Sequence, residues 1–158
     1  MKKNKFLEEF EKIRVQLWNY SLFLTKNRQN AYDIMSDSIY STLKNLNSIR
    51  DDNSLKSFMF TTLRREFFKL NKKNKSNQEI NEEFLIDNFD SEVQFDIKVL
   101  FDMLSKISED KAEAIILTKI QGFSRKEIAD LQGVSEETVK SRISRGMQEL
   151  KELMGVEK

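Results

Sequence analysis

Ser124-Arg125-Lys126-Glu127-Ile128-Ala129-Asp130-Leu131-Gln132-Gly133-Val134-Ser135-Glu136-Glu137-Thr138-Val139-Lys140-Ser141-Arg142-Ile143-Ser144-Arg145 holds two helix starts with one helix stop between them. Ser124 followed by Glu127 fits a capping box, in which the Ser side chain takes the third amide and the Glu reaches back to the cap amide. The short helix that begins there turns Ile128, Ala129 and Leu131 inward. It stops at Gly133, which enters the left-handed conformation at little cost. Val134 plugs the corner, and Ser135 caps the next helix, whose N-terminal dipole Glu136 and Glu137 favour. Val139, Ile143, Met147, Leu150 and Met154 run down the inward face of that helix. Lys140, Ser141, Ser144 and Arg145 stand opposite, flanked by Arg142. The small Ala129 lets the two helices approach, so the run specifies a helix-turn-helix.

A unit of this kind presents the N-terminal part of its second helix to the DNA major groove, with Thr, Lys, Ser and Arg near base edges and phosphates. Two amphipathic helices around a glycine also build a plain bundle, but capping, turn and basic face coincide here. Gln132 is out of pattern: it occupies a helix end where an apolar side chain is usual, which predicts a less well packed corner.

Upstream of the motif, Ser108 with Glu109 and Asp110 opens a helix whose Ala112, Ile115, Ile116, Thr118 and Lys119 run to Gly122. Phe95, Val99, Leu100, Met103 and Leu104 give another helical period before it. From Asn71 to Ser91 the chain is polar, basic at first and acidic later, with one apolar island at Phe84, Leu85 and Ile86; this reads as a flexible linker.

The first part of the chain carries three further helical periods. Phe6, Leu7, Phe10, Ile13, Leu17, Trp18, Ser21 and Leu24 predict a helix over about 5 to 26 with those residues inward. Asn30 is the expected cap of a second helix, with Ala31, Ile34, Met35, Ser38, Thr42 and Leu46 inside and Tyr32, Asp33, Ser36, Asp37, Tyr40 and Lys44 outside. Ser54 is the expected cap of a third, burying Leu55, Phe58, Met59, Thr62, Leu63, Phe67 and Leu70. Phe58, Phe60, Phe67 and Phe68 read as core rather than as stacking platforms.

The expected fold is therefore all-α: two small helical domains, 1–73 and 95–158, joined by a linker over 74–94, the second containing the helix-turn-helix. With four glycines and no proline in 158 residues, the tight turns and edge breakers of all-β folds are mostly missing. The absence of Cys and His removes disulfides, thiolate nucleophiles, imidazole bases and structural zinc sites. An enzyme would need paired carboxylates on magnesium, and no convergent cluster is evident, so no catalysis, metal or cofactor is expected. No apolar run reaches the length of a membrane span, and the N-terminus lacks a signal-peptide core, so neither membrane insertion nor export from the cytoplasm is expected. The net charge of +1 conceals segregation: residues 1–75 hold 16 Lys and Arg against 8 Asp and Glu, and residues 76–95 hold 6 acids and no base. The first block suits a polyanion.

Residues 107–147 closely resemble the C-terminal promoter-reading domain of sigma-70-family proteins. The likeness rests on Ile120-Gln121-Gly122-Phe123-Ser124-Arg125-Lys126-Glu127-Ile128-Ala129 and on Val134 to Ile143, above all Thr138-Val139-Lys140-Ser141-Arg142. Asn30 to Tyr40 and Ser54 to Phe60 resemble the polymerase-docking domain of the same family. The short two-domain layout resembles its extracytoplasmic-function group.

The resemblance implies a sigma factor that binds core RNA polymerase and promoter DNA, and in this group an anti-sigma partner as well. Asp33, Ser36 and Asp37 would dock on the polymerase, with Ser36 standing where the family often has Gln. Ser135, Glu136, Thr138, Lys140, Ser141, Arg142, Ser144 and Arg145 would read the upstream element. Lys56, Arg64, Arg65, Lys69 and Lys72 would hold the melted downstream element, with the 47–53 loop receiving an unstacked base. Phe58 stands at a usual Trp, Thr61 at a usual basic residue, and Arg65 where Asn is common. The rival reading is a stand-alone helix-turn-helix regulator that needs no polymerase, with the first module serving dimerisation or ligand binding.

Overall fold

The computed structural model describes residues 1–73 and 99–155, and every regular element among them is helical. The chain divides into two compact units, Met1–Phe84 and Leu85–Lys158. The expected linker over 74–94 and the contribution of Phe95 lie outside the described residues.

Among its described residues the first unit has three α-helices, α1 Lys3–Thr25, α2 Arg28–Lys44 and α3 Asp52–Lys73, with a 3₁₀ turn at Leu46–Ser48. α1 ends because Lys26 adopts a left-handed conformation (φ 52°), its N–H donating to the Leu22 carbonyl. Asn27 then caps α2 by accepting the Asn30 N–H at 2.9 Å. The expected cap, Asn30, is thus the donor of that bond, and the helix starts three residues earlier. The same displacement occurs at α3, where the Asp51 carboxylate accepts the Ser54 N–H at 2.8 Å. Ser54 lies inside the helix it was expected to open.

The inward face of α2 is as its period predicts for Ala31, Ile34, Met35, Ser38 and Thr42, all buried, whereas Leu46, expected on the same stripe, lies past the helix end in the 3₁₀ turn and is half-buried. The two buried hydroxyls are satisfied one turn back: Ser38 donates to the Ile34 carbonyl at 2.6 Å and Thr42 to the Ser38 carbonyl at 2.7 Å. Small residues with self-satisfied polar groups let α2 lie close to its neighbours without stranding a donor.

α1 departs from its expected stripe. Phe6, Leu17 and Ser21 are buried, but so are Glu9 and the consecutive run Asn19 to Phe23, whereas Leu7 is 58% exposed. Consecutive burial means that the last turns are covered nearly all round, a condition that a one-faced period does not express. Tyr20 stacks on Phe60 of α3 with ring centroids 5.1 Å apart. Each large side chain fully buried in this way contributes on the order of 1.5–3 kcal/mol. Nearer the start of α1, the Glu9 carboxylate has only 8% of its side chain exposed and is held by Lys12 at 2.9 Å and Lys5 at 3.2 Å.

The second unit begins, among the described residues, with a helical stretch at 99–104 that buries Phe101 and Leu104 and leaves Val99 exposed. α4 spans Glu109–Ile115 and widens into a π-helical turn over Ile116–Ile120, where the Gln121 N–H reaches back to the Ile116 carbonyl. The expected helix up to Gly122 is present in extent, but not as uniform α-helix. α5 covers Arg125–Gln132 and α6 covers Glu136–Leu153. Val139 and Leu150 are buried and Ile143 and Met147 half-buried; Met154, expected inward, lies beyond the helix end and is exposed.

Candidate nucleic-acid interface

The turn between α5 and α6 is built by local chemistry. Ser124 accepts the Glu127 N–H at 3.1 Å while Glu127 accepts the Ser124 N–H at 3.0 Å, completing the capping box. Gly133 takes φ 68°, ψ 37°, and its successor Val134 donates to the Ala129 carbonyl at 3.1 Å. Ser135 then caps α6 by accepting the Thr138 N–H at 3.1 Å. These bonds aim the first turns of α6 outward.

On α6, Glu136, Lys140, Ser144 and Arg145 are exposed, and Thr138 and Ser141 are half-buried. Lys140 and Ser144 are one turn apart on a single open face. The Ser135 and Thr138 hydroxyls lie 2.9 Å apart, so both belong to the cap. Arg142 is placed differently from the rest: its side chain is 21% exposed and points back to Gln132 of α5 at 3.0 Å and Asp110 of α4 at 3.6 Å. A close approach holds the base of the site: a Cβ on Gly146 would meet Ile115 Cδ1 at 2.6 Å and Lys111 Cβ at 3.3 Å. Nothing in the helical period of α6 singles out Gly146; the signal is only that a glycine sits in mid-helix.

The five basic residues of α3 do not share one face. Arg65 and Lys72, seven apart, are aligned and exposed, and Lys69 lies one turn from Arg65 and 3.4 Å from Glu66. Lys56 precedes Arg65 by nine residues, about two and a half turns, which puts it on the opposite side of the helix. Arg64 is half-buried, with its guanidinium 4.7 Å from the centroid of the Phe68 ring. Phe60 is core and Phe58 and Phe67 are half-buried, but Phe68 is 49% exposed among the basic residues, against the expectation of core. Its spacing, four after Arg64 and four before Lys72, carries that signal. At the preceding loop, the backbone N–H of Ser54 holds the Asp51 carboxyl below its ordinary range, so a negative charge persists there.

Asp33, Ser36 and Asp37 are all exposed on α2. Asp33 and Asp37 line one side of an open cleft of about 520 Å³ floored by Ile34 and Leu70, with Lys69 and Lys72 across from them. Two sets of residues that the sequence assigns to different partners therefore border one depression. Beside them, Tyr32 meets Trp18 edge-on at 5.3 Å, and Tyr40 is exposed with the Lys44 ammonium 5.6 Å from its ring centroid. Among the described residues no cluster of carboxylates is arranged to hold a metal, and no helix is long and apolar enough to cross a membrane.

Residues 97–150 match the family model described as Sigma-70, region 4. The chain is 26% identical over 142 residues to the ECF RNA polymerase sigma factor EcfG of Rhodopseudomonas palustris, covering 87% of this chain and 78% of that protein. It is 39% identical over 56 residues to the RNA polymerase sigma factor CarQ of Myxococcus xanthus, covering 35% of this chain and 32% of that one. Among solved structures, the sigma factor RpoE in complex with the anti-sigma factor NepR from Bartonella quintana is similar with TM-score 0.78 and 26% identity, over 98% of this chain and 99% of that one. CnrH in complex with the cytosolic domain of CnrY shares the fold at TM-score 0.71 and 18% identity, over 99% and 92% of the two chains. A capped helix-turn-helix, an all-helical first unit and likeness along nearly the whole chain converge: residues 97–150 carry the sigma-70 region 4 pattern, and the chain as a whole is similar to sigma factors of the extracytoplasmic-function group.

Proposed function

We propose that this sigma factor divides its work between its two units, which we take as 1–73 and 95–158. The first docks on core RNA polymerase through Asp33, Ser36 and Asp37 and holds melted promoter DNA along α3. The second reads the upstream duplex with the open face of α6. The observation that carries this reading is the exposed row of Lys140, Ser144 and Arg145 behind a doubly capped turn, placed where a recognition helix meets base edges and phosphates. Lys140 and Arg145 supply the salt-sensitive part of that contact. On α3, Arg65, Lys69 and Lys72 face the phosphates, while Lys56 lies too far round the helix to join them.

The protein acts by binding and catalyses nothing itself, and it works in the cytoplasm, where polymerase and promoter are. Tethering two weak DNA contacts on one polymerase raises their effective concentration, so neither unit alone binds tightly. Likeness to a sigma factor crystallised with NepR supports an anti-sigma protein as a further partner.

The test is transcription by core polymerase on a promoter library. With this protein added, specific starts appear; a stand-alone regulator gives none without another sigma factor. Reversing charge in the full chain at Asp33→Lys and Asp37→Lys weakens core binding by about tenfold, while upstream duplex binding is unchanged. Equal loss of both would refute the assignment of α2 to the polymerase.

A further inference from the structure

The end of α5 carries a polar clasp. Gln132 stands there in place of an apolar side chain, and both ends of its amide are engaged. Its Nε2 donates to the Glu113 carboxylate at 2.9 Å and to the Asp110 carbonyl at 3.2 Å, and its Oε1 accepts from Arg142 Nη1 at 3.0 Å. The chemistry of the neighbours fixes which end of the amide is which, since a carboxylate only accepts and a guanidinium only donates. Glu113 is 5% exposed, and a carboxylate so placed needs donors. Gln132 supplies one and turns its other end to Arg142. One side chain thus links α4, on which Asp110 and Glu113 lie, through α5 to the second turn of α6.

We propose that Gln132 is a positioning residue for upstream recognition, and that Arg142 is its anchor on α6 rather than a contact to DNA. The inference rests on the reading that α6 meets the duplex. Arg142 leaves α6 on the side away from Lys140 and Ser144 and is engaged by Gln132 and Asp110. Its pull sets the rotation of α6, and so which side chains of the open face reach the groove. A leucine at 132 fills the corner but offers Glu113 no donor and Arg142 no acceptor.

The experiment uses the full chain bound to core polymerase, with a promoter duplex against a scrambled upstream element over a range of salt. Gln132→Leu lowers the preference for the true element by about tenfold, as expected when a buried polar group loses one of its hydrogen bonds. Gln132→Glu alone, which sets two carboxylates face to face, does the same. The exchange Gln132→Glu with Glu113→Gln restores a donor between positions 113 and 132 and keeps an acceptor for Arg142, losing only the bond to the Asp110 carbonyl, and recovers most of the preference, which a loss of packing would not allow. Arg142→Gln weakens specific binding with no change in its salt slope, whereas a phosphate contact would lower the slope by about one.

A recovered preference in the exchange upholds the proposal even if Gln132→Leu fails to fold. An unrecovered exchange, a Gln132→Leu protein indistinguishable from the parent, or a slope reduced in Arg142→Gln overturns it. Arg145→Ala tests the underlying reading separately. If its affinity and slope match the parent, α6 is not the reading helix and the role of Gln132 falls with it. If Arg145→Ala weakens binding and the Gln132 variants do not, only the clasp is overturned.

Discussion

The two units of this sigma factor hold their shape by different means. In the first, large side chains such as Phe6, Leu17, Tyr20, Leu22, Met59 and Phe60 are wholly enclosed, and its buried hydroxyls bond to their own helices. The second encloses Leu104, Ile116 and Leu117 as completely, and packs the small Ala112, Ala114, Ala129 and Val139 among them. Its helices are set by two side-chain caps, the Gly133 turn, the Gly146 approach and ion pairs such as Lys111 to Glu149 at 2.7 Å. Side-chain caps and ion pairs serve both units, but only the second has glycines, and its Gly133 turn and Gly146 approach fix how its helices meet. Under the proposed division of work, a surface that docks on a large machine needs no such fixed approach, while a helix that enters a groove in one rotation does.

The largest expected effect comes from breaking the first unit at its aromatic centre. Phe60→Ala removes the ring stacked on Tyr20 and costs about 3–5 kcal/mol of stability in chemical denaturation. The next comes from the close approach in the second unit. Gly146→Ala gains about 1 kcal/mol of helix propensity but drives a methyl into Ile115, and overpacking of this kind costs about 1–3 kcal/mol. Ile115→Val removes the Cδ1 atom that the methyl meets. The double variant is therefore more stable than Gly146→Ala alone by thermal melting, and a double variant no better than the single one would locate the strain elsewhere.

The smallest effect concerns the single buried acid of α1. The hydrogen bond from Lys12 holds the Glu9 carboxyl below its ordinary value of 4.5. A group whose pKa is lower in the folded state adds stability above its unfolded pKa and loses it as the pH falls through the folded one. Glu9→Gln therefore flattens the acid limb of the stability curve below about pH 4.5 and leaves its neutral plateau parallel to the parent. Titration of stability between acid and neutral pH reads this directly.

Local chemistry was the legible part of this chain. The capping box at Ser124, the Gly133 stop and the Ser135 cap each depend on residues within one turn, and all stand as the sequence implies. The face of α2 was equally plain, because Tyr32, Asp33, Ser36, Asp37, Tyr40 and Lys44 alternate cleanly with the buried stripe. The caps of α2 and α3 were displaced by three residues because a cap and the residue it binds are both polar here: Asn27 with Asn30, Asp51 with Ser54. The inward side of α1 was hidden by burial all round its final turns. Gln132 was visible only as an exception; its three partners sit 10 to 22 residues away along the chain, beyond any local pattern. The basic residues of α3 were found by type, but their type does not tell Lys56 from Arg65; only the turn of the helix does.

The edge-on pair of Trp18 and Tyr32 gives this protein an optical reporter where one is useful. Trp18 is the sole tryptophan of the chain, it is half-buried, and the tyrosine against it adjoins Asp33. Indole emission responds to the polarity and quenching of its surroundings. Binding at α2 is therefore open to measurement by intrinsic fluorescence with no label attached.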